Sequence, residues 1–267
     1  TGFITRYEVG GKSLLGEGGS LKPNFWRAVT DNDMGAQSQK NFAAWRTPKM
    51  KLRSLTVDKK LKTAVAVYNM PAVKSTLTLT YQVEANGTLV VTQDLKTTPG
   101  AKVSEMLRFG MVMNLPYDMD QVQWNGRGPV ENYSDRKISQ NVGIYHSTAD
   151  DLFYPYVRPQ ETGTMSDLRW WNQTNKNGVG FRVESDKLFS ASALHYDLLT
   201  LDEGKEKKQR HSQSVEKSKY TNLFIDLVQS GVGGVDSWGG DGRARKGHRV
   251  EYKDYTFSFR IAPKTLY

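Results

Sequence analysis

Three stretches of this chain crowd aromatic rings, amides, guanidinium groups and carboxylates together. The first is Phe25-Trp26-Arg27-Ala28-Val29-Thr30-Asp31-Asn32-Asp33. The second runs from Trp124-Asn125-Gly126-Arg127-Gly128-Pro129-Val130-Glu131-Asn132-Tyr133-Ser134-Asp135-Arg136 and continues as Tyr154-Pro155-Tyr156-Val157-Arg158-Pro159-Gln160-Glu161-Thr162-Gly163. The third is Gly231-Val232-Gly233-Gly234-Val235-Asp236-Ser237-Trp238. A sugar site needs such a mixture, because a flat ring stacks on the C–H face of a pyranose while the polar groups bind its hydroxyls. The competing reading is a network that pins long loops, with Arg127 or Arg136 paired to Glu131, Asp135 or Glu161. Taken singly, each charged residue fits the network better. Asp31 and Asp33 have the chemistry to hold a hard cation, but two acids in a loop more often build a turn. Trp238 follows a Gly-rich turn and lacks the alternating apolar neighbours of a core strand. It reads either as a stacking platform on a loop or as a cap on the end of a sheet.

Other chemistries have less support. With no cysteine, thiolate zinc, iron–sulfur clusters, disulfides and a cysteine nucleophile are impossible. The four histidines at 146, 195, 211 and 248 show no metal-ligand spacing. No Gly-x-Ser-x-Gly elbow presents a serine. Gly231-Val232-Gly233-Gly234 has no following Lys-Ser/Thr, so a tight turn explains it better than a phosphate cradle.

Strands must position these groups. In Ser75–Val83, Leu77, Leu79, Tyr81 and Val83 alternate with threonines and a glutamine, the pattern of a half-buried strand. Tyr255, Phe257, Phe259 and Ile261 repeat it, as do Val179, Phe181 and Val183 after a turn at Asn177-Gly178. Asn86-Gly87 marks a hairpin. Further strands are predicted at Gly2–Val9, Leu52–Val57, Thr63–Tyr68, Gly110–Asn114, Gln121–Asn125, Leu188–Leu194 and Asn222–Val228. Helical periodicity is confined to Gln37–Trp45 and Ala149–Leu152. About a dozen strands with turns between them predict a large antiparallel all-β sandwich, residues 1–267, with no linker dividing it.

Composition agrees with a folded chain: 267 residues, 37% hydrophobic and 11% aromatic. No apolar run approaches the roughly 20 residues that span a bilayer. The 37 basic residues exceed the 28 acidic ones, giving a net charge of +9. The excess falls in three clusters: Lys40 to Arg53, Lys205 to Lys219 with Lys207 and Lys208, and Arg243 to Lys253. No nucleic-acid motif accompanies them, so they read as solvated surface. The chain opens Thr1-Gly2-Phe3 with neither an initiating Met nor a leader, which suggests a piece of a longer protein. A soluble protein is expected, and the absence of cysteine leaves cytoplasm and periplasm both open as its compartment.

In order and separation, the three stretches resemble the C-terminal domain, or small-chain region, of glycoside hydrolase family 2 β-galactosidases. Trp26-Arg27-Ala28 with Thr30-Asp31-Asn32-Asp33 matches the opening signature of that domain. Gly126-Arg127-Gly128-Pro129, Glu131-Asn132-Tyr133, Asp135-Arg136, Pro155-Tyr156, Pro159-Gln160-Glu161 and Gly163 match the central one. Gly233-Gly234 with Asp236-Ser237-Trp238 matches the last, although Gly239-Gly240-Asp241-Gly242 is richer in glycine than the best-known members.

The resemblance implies a galactose-mutarotase-like β-supersandwich ending an enzyme that hydrolyses terminal β-galactosides such as lactose. Retaining hydrolysis uses two carboxyl groups about 5 Å apart. In that family both lie on a preceding (β/α)8 barrel, together with the Mg and Na sites. A barrel takes about 250 residues of alternating strand and helix, a pattern missing here. This domain is therefore expected to hold no catalytic residue, metal or cofactor of its own, and to be inactive alone. Trp238 matches the aromatic residue that the domain lends to the active site. Arg127, Glu131, Tyr156, Glu161 and His195 are secondary substrate-binding candidates. Expected partners are a β-galactoside or galactose, the remaining domains of the enzyme and further copies of the full-length chain, with neither nucleic acid nor membrane. The alternative is a stand-alone carbohydrate-binding domain, or an aldose-epimerase-like domain with His195 and either Glu161 or Glu131 as acid and base.

Overall fold

The computed structural model describes every residue except 203, 207–209 and 265–267, so Lys207 and Lys208 of the second basic cluster lie outside the described residues. The described chain forms β1 (Glu8–Val9), β2 (Lys12–Ser13), β3 (Leu21–Asn24), β4 (Lys51–Asp58), β5 (Thr63–Met70), β6 (Ser75–Val83) and β7 (Leu89–Thr97). It continues with β8 (Arg108–Pro116), β9 (Gln121–Gly128), β10 (Asn141–Thr148), β11 (Met165–Thr174), β12 (Gly180–Leu194), β13 (Tyr220–Gln229) and β14 (Tyr255–Lys264). The helices are short: α1 (Asp31–Gly35), α2 (Ser38–Asn41), α3 (Ala43–Arg46) and α4 (Leu198–Leu201).

Twelve strands join in one sheet ordered β10-β9-β11-β12-β14-β7-β6-β5-β4, and a limb β13-β8-β3 branches from β12. All pairings are antiparallel. The branch arises because the long β12 turns a corner. Gly180–Glu184 pairs with β14, whereas Ser190–Leu194 pairs with β13, and the exposed residues Asp186, Lys187 and Leu188 lie between. A strand that changes sheets at such an irregularity is how a sandwich makes its corners.

Alternation places the core. Leu77, Leu79 and Tyr81 are buried, as are Phe257, Phe259 and Ile261, and Trp26, Trp45, Trp124 and Trp171 fill the interior. Val83 departs from its pattern at 42% exposure, because it ends β6 one residue past the last β5 pairing, Thr63 with Gln82. A bulge at Arg53 keeps Leu52, Leu55 and Val57 opposite Tyr68, Ala66 and Ala64, on the core side of the edge strand β4, yet all three remain exposed. The Asn86-Gly87 hairpin joins β6 and β7, with Gly87 at φ +83°.

Several predicted elements differ. Gly2–Val9 contributes only β1 and a bridge from Ile4 to Leu21, since Gly2 and the paired glycines Gly10 and Gly11 all sit at positive φ. Gln37–Trp45 splits into α2 and α3 at Phe42, which caps one helix and starts the next. Ala149–Leu152 is a turn. No helix among the described residues is long and apolar enough to cross a membrane.

Candidate functional site

The first stretch leaves β3 and turns into α1 around one ion pair. Arg27, with no exposed surface, donates from Nε and Nη2 to the two oxygens of Asp33, each at 2.9 Å. It also donates to the carbonyls of Ser230 at 2.6 Å and Gly231 at 2.9 Å. Asp33 is the third residue of a capping box with Thr30, so the carboxylate that starts the helix also neutralises the buried guanidinium. Arg158 donates to Asp31 at 2.8 Å and to the Val29 carbonyl at 3.0 Å. Both acids of this stretch are therefore engaged by arginines and serve its turn.

The second stretch is pinned through its polar side chains. Glu131 accepts from Gly163 N at 2.7 Å, Tyr133 Oη at 3.1 Å, Arg136 Nη2 at 2.6 Å and Tyr156 Oη. Burial pushes the Tyr133 phenol well above its ordinary range, and Glu131 reinforces the shift. Arg136 therefore has a partner that the sequence predicted, whereas Arg127 does not: it donates to Asp167 at 2.6 Å and to the Gln140 carbonyl at 2.7 Å. Asp167 stands on a bulge of β11 with φ +53°, which turns its carboxylate toward Arg127 and Lys137. Burial raises its affinity for a proton, but those two cations outweigh burial and hold its carboxyl below the usual range. Glu161 pairs instead with the buried Arg108, at 2.7 Å, and its backbone N–H donates to Ala28. Asp135 accepts from Val232 N at 3.0 Å and Gly233 N at 2.9 Å, which ties the second stretch to the third.

In the third stretch, Trp238 is 77% exposed. Its own N–H donates to Asp236 at 2.7 Å, and Asn32 of the first stretch donates to the Asp236 carbonyl at 3.0 Å. A Cβ on Gly35 would lie 1.8 Å from the Ser237 carbonyl oxygen, so the loop rests directly on α1. The three stretches thus converge on a cleft of about 230 Å³ lined by Asp31, Asn32, Arg136, Tyr156, Gln160 and Glu161. Glu131 stands one hydrogen bond behind it, through Arg136 and Tyr156.

Arg127, His195 and Trp238 do not line this cleft, to which the third stretch contributes Val232. His195 is buried and stacked on Tyr117, with ring centroids 3.9 Å apart. Its Nδ1 lies 2.9 Å from Asp150 and its Nε2 3.1 Å from the Tyr117 carbonyl. Both nitrogens are occupied, and neither Glu131 nor Glu161 is among their partners, so the acid–base pair considered for epimerase chemistry is not assembled. Among the described residues, no three of His, Asp and Glu converge in an arrangement that could hold a metal ion.

A family model described as beta galactosidase small chain matches residues 1–261. The chain belongs to that family. The β-galactosidase of Priestia megaterium is 30% identical over 241 residues, covering 89% of this chain and 22% of the relative. That of Lactobacillus delbrueckii subsp. bulgaricus is 35% identical over 222 residues, covering 80% and 21%. This small chain thus spans about a fifth of the length of the curated relatives it matches. A GalM/aldose epimerase homologue from C. elegans superposes with TM-score 0.43 at 9% identity, covering 99% of this chain and 80% of that one.

In the small chain, the partners that the sequence did not expose include Arg108, Asp150, Asp167 and Asp226. Asp167 carries no motif. Arg108 and Asp226 do leave a signal, since each is a lone charge in an apolar strand, and a buried charge there requires a partner on a neighbouring strand. Arg108 Nε lies 3.2 Å from Asp226 Oδ2, an ion pair by distance although its angle makes no hydrogen bond.

Proposed function

We propose that this chain is the C-terminal, non-catalytic part of a β-galactosidase that hydrolyses terminal β-D-galactosides such as lactose, and that it completes the substrate site with Trp238. The observation that carries this reading is a tryptophan at 77% exposure on a loop tied to α1, beside a polar cleft. A large ring kept in solvent by a well-anchored loop gains most of its burial when a ligand or another domain covers it. The two carboxyl groups of retaining hydrolysis, about 5 Å apart, belong in this reading to a (β/α)8 barrel elsewhere in the enzyme, with the Mg and Na sites. Trp238 presents its face to the galactoside or its aglycone, and the Arg–carboxylate network holds that face in register with the barrel.

Docking to the rest of the enzyme has support at the opposite end of the sheet. Leu55, Val57 and Val83 line a groove of about 690 Å³ beside the N-terminal residues, apolar surface that suits cover by the four-fifths of the relatives' length lying outside this chain. The assembled enzyme is a homo-oligomer in this reading.

The test has two arms. The purified chain should not turn over a nitrophenyl β-galactoside, and Trp238→Ala in the full-length enzyme should raise KM roughly tenfold with a smaller change in kcat. Turnover by the chain alone, or an unchanged KM, would refute the proposal.

A further inference from the structure

The limb formed by β3, β8, β13 and the end of β12 has an apolar face in the core and a second, mixed face opposite it. Rows across this second face read Asn24–Gly110–Asp226–Ser190, Lys22–Val112–Phe224–Ser192 and Asn114–Asn222–Leu194. Buried polar atoms nearly always find partners. On this face Asn24 Nδ2 and Ser192 Oγ have no hydrogen-bond partner, while Arg108 Nε and Asp226 Oδ2 form an ion pair at 3.2 Å. Toward β3 the face opens into a cleft of about 580 Å³. That volume is within the roughly 300–1,000 Å³ of small-molecule sites.

The cleft is built for hydroxyl groups. Its apolar walls include Phe25, Phe224 and Tyr220, and its polar groups include Asn24, Asn114, Asn222, Asp197 and Lys22. The amides are oriented by a relay: Ser20 N donates to Asn114 Oδ1 at 3.2 Å, Asn114 Nδ2 to Asn222 Oδ1 at 2.8 Å, and Asn222 Nδ2 to Asp197 Oδ1 at 3.1 Å. Asn24 Oδ1 accepts from Trp26 N at 3.2 Å, which leaves its amide NH2 unpartnered in the wall. The lining carries both signs of charge: Arg46 is taken by Asp202 at 2.5 Å, and Lys22 and Asp197 each contribute to the wall. An anion would meet Asp197 and a cation would meet Lys22. A neutral ring whose hydroxyls both donate and accept satisfies amide, ammonium and carboxylate together.

We propose that this cleft is a second carbohydrate site, sharing no lining residue with the cleft on which the three stretches converge, and that it takes a single neutral sugar ring. The apolar walls pack its C–H face while Asn24, Lys22 and Asn114 bind its hydroxyls.

Calorimetry and ligand-observed NMR on the purified chain, with D-galactose, D-glucose and glycerol, test this. Saturable millimolar binding of a hexose, and not of glycerol, is expected. Asn24→Asp keeps the acceptor for Trp26 N–H and replaces the unpartnered donor, so affinity should fall about tenfold. Lys22→Ala alters an exposed side chain and should weaken binding about threefold; it decides alone if Asn24→Asp does not fold. Trp238→Ala should leave this binding unchanged, which separates its outcome from that of the proposed role in galactoside hydrolysis. The proposal is overturned by absent saturation, by glycerol binding equally well, by wild-type affinity in the Asn24 and Lys22 variants, or by loss of binding in Trp238→Ala.

Discussion

The Asp135 carboxylate occupies the space that a side chain on residue 231 would need: a Cβ on Gly231 would lie 2.3 Å from Asp135 Oδ2. With Val232 N and Gly233 N donating to the same carboxylate, the turn before Trp238 is clamped from the second stretch. Asp135→Ala strands two N–H groups and should cost about 2 kcal/mol. In a chain of this size the melting temperature should drop by roughly 4–8 °C. Hydrogen exchange at Val232 and Gly233 should accelerate; unchanged protection there would show that the clamp is not what holds the turn.

Gly35→Ala puts two effects in opposition. Alanine is the better helix former by roughly 0.5–1 kcal/mol, which alone would stabilise α1. The new Cβ, however, would meet the Ser237 carbonyl at 1.8 Å, backbone that cannot rotate away. Overpacking of this kind costs about 1–3 kcal/mol, so net destabilisation in urea is expected. Trp238→Ala, by contrast, removes a ring from solvent and should change stability by less than about 0.5 kcal/mol. A stabilised Gly35→Ala would mean that the Trp238 loop does not rest on α1.

Arg27→Met should be among the most damaging single changes. It leaves Asp33 buried without its cation and frees the carbonyls of Ser230 and Gly231, for an expected loss of about 3–5 kcal/mol. Because both partners are buried, the loss should hardly vary with added salt, unlike that of an exposed pair. A strongly salt-dependent loss would contradict the buried geometry.

Asp226 gives the chain a pH dependence with a definite sign. Burial, against the pull of Arg108 and with the repulsion of Glu161, raises its carboxyl from 3.8 to about 7. The folded state therefore holds a proton that the unfolded state releases more easily. The stability from this group is complete below about 3.8 and is lost as pH rises through about 7, a decline of order 4 kcal/mol. Asp226→Asn should flatten the decline between about pH 4 and pH 7 in denaturant titrations. A variant with the wild-type slope would assign the decline to another group.

Strand alternation was legible in the sequence wherever one face of a strand is core and the other is solvent, as in β6 and β14. β10 was not recognised, since Val142 and Ile144 lie on its exposed face. Nor was β11, where the bulge at Asp167 breaks the period. The motifs located the cleft but not its wiring. The pairing of Glu131 with Arg136 is short-range and could be read from spacing. Glu161 with Arg108 and Arg127 with Asp167 are set by strand register and by a bulge, which spacing along the chain does not encode. His195 looked available for chemistry only because Asp150 and the Tyr117 carbonyl, far from it in sequence, cannot be seen to hold it.

Arg27 reaches the carbonyls of Ser230 and Gly231 from 203 and 204 residues away, and Tyr7 Oη reaches the Ile261 carbonyl across 254. Contacts of such separation carry the largest loop-closure entropy and dominate folding time. As the chain leaves the ribosome, its first recognisable motif therefore lacks half of its anchors until most of the sequence has emerged. A chain truncated before Ser230 is expected to lose the geometry of its opening residues as well as its missing loop.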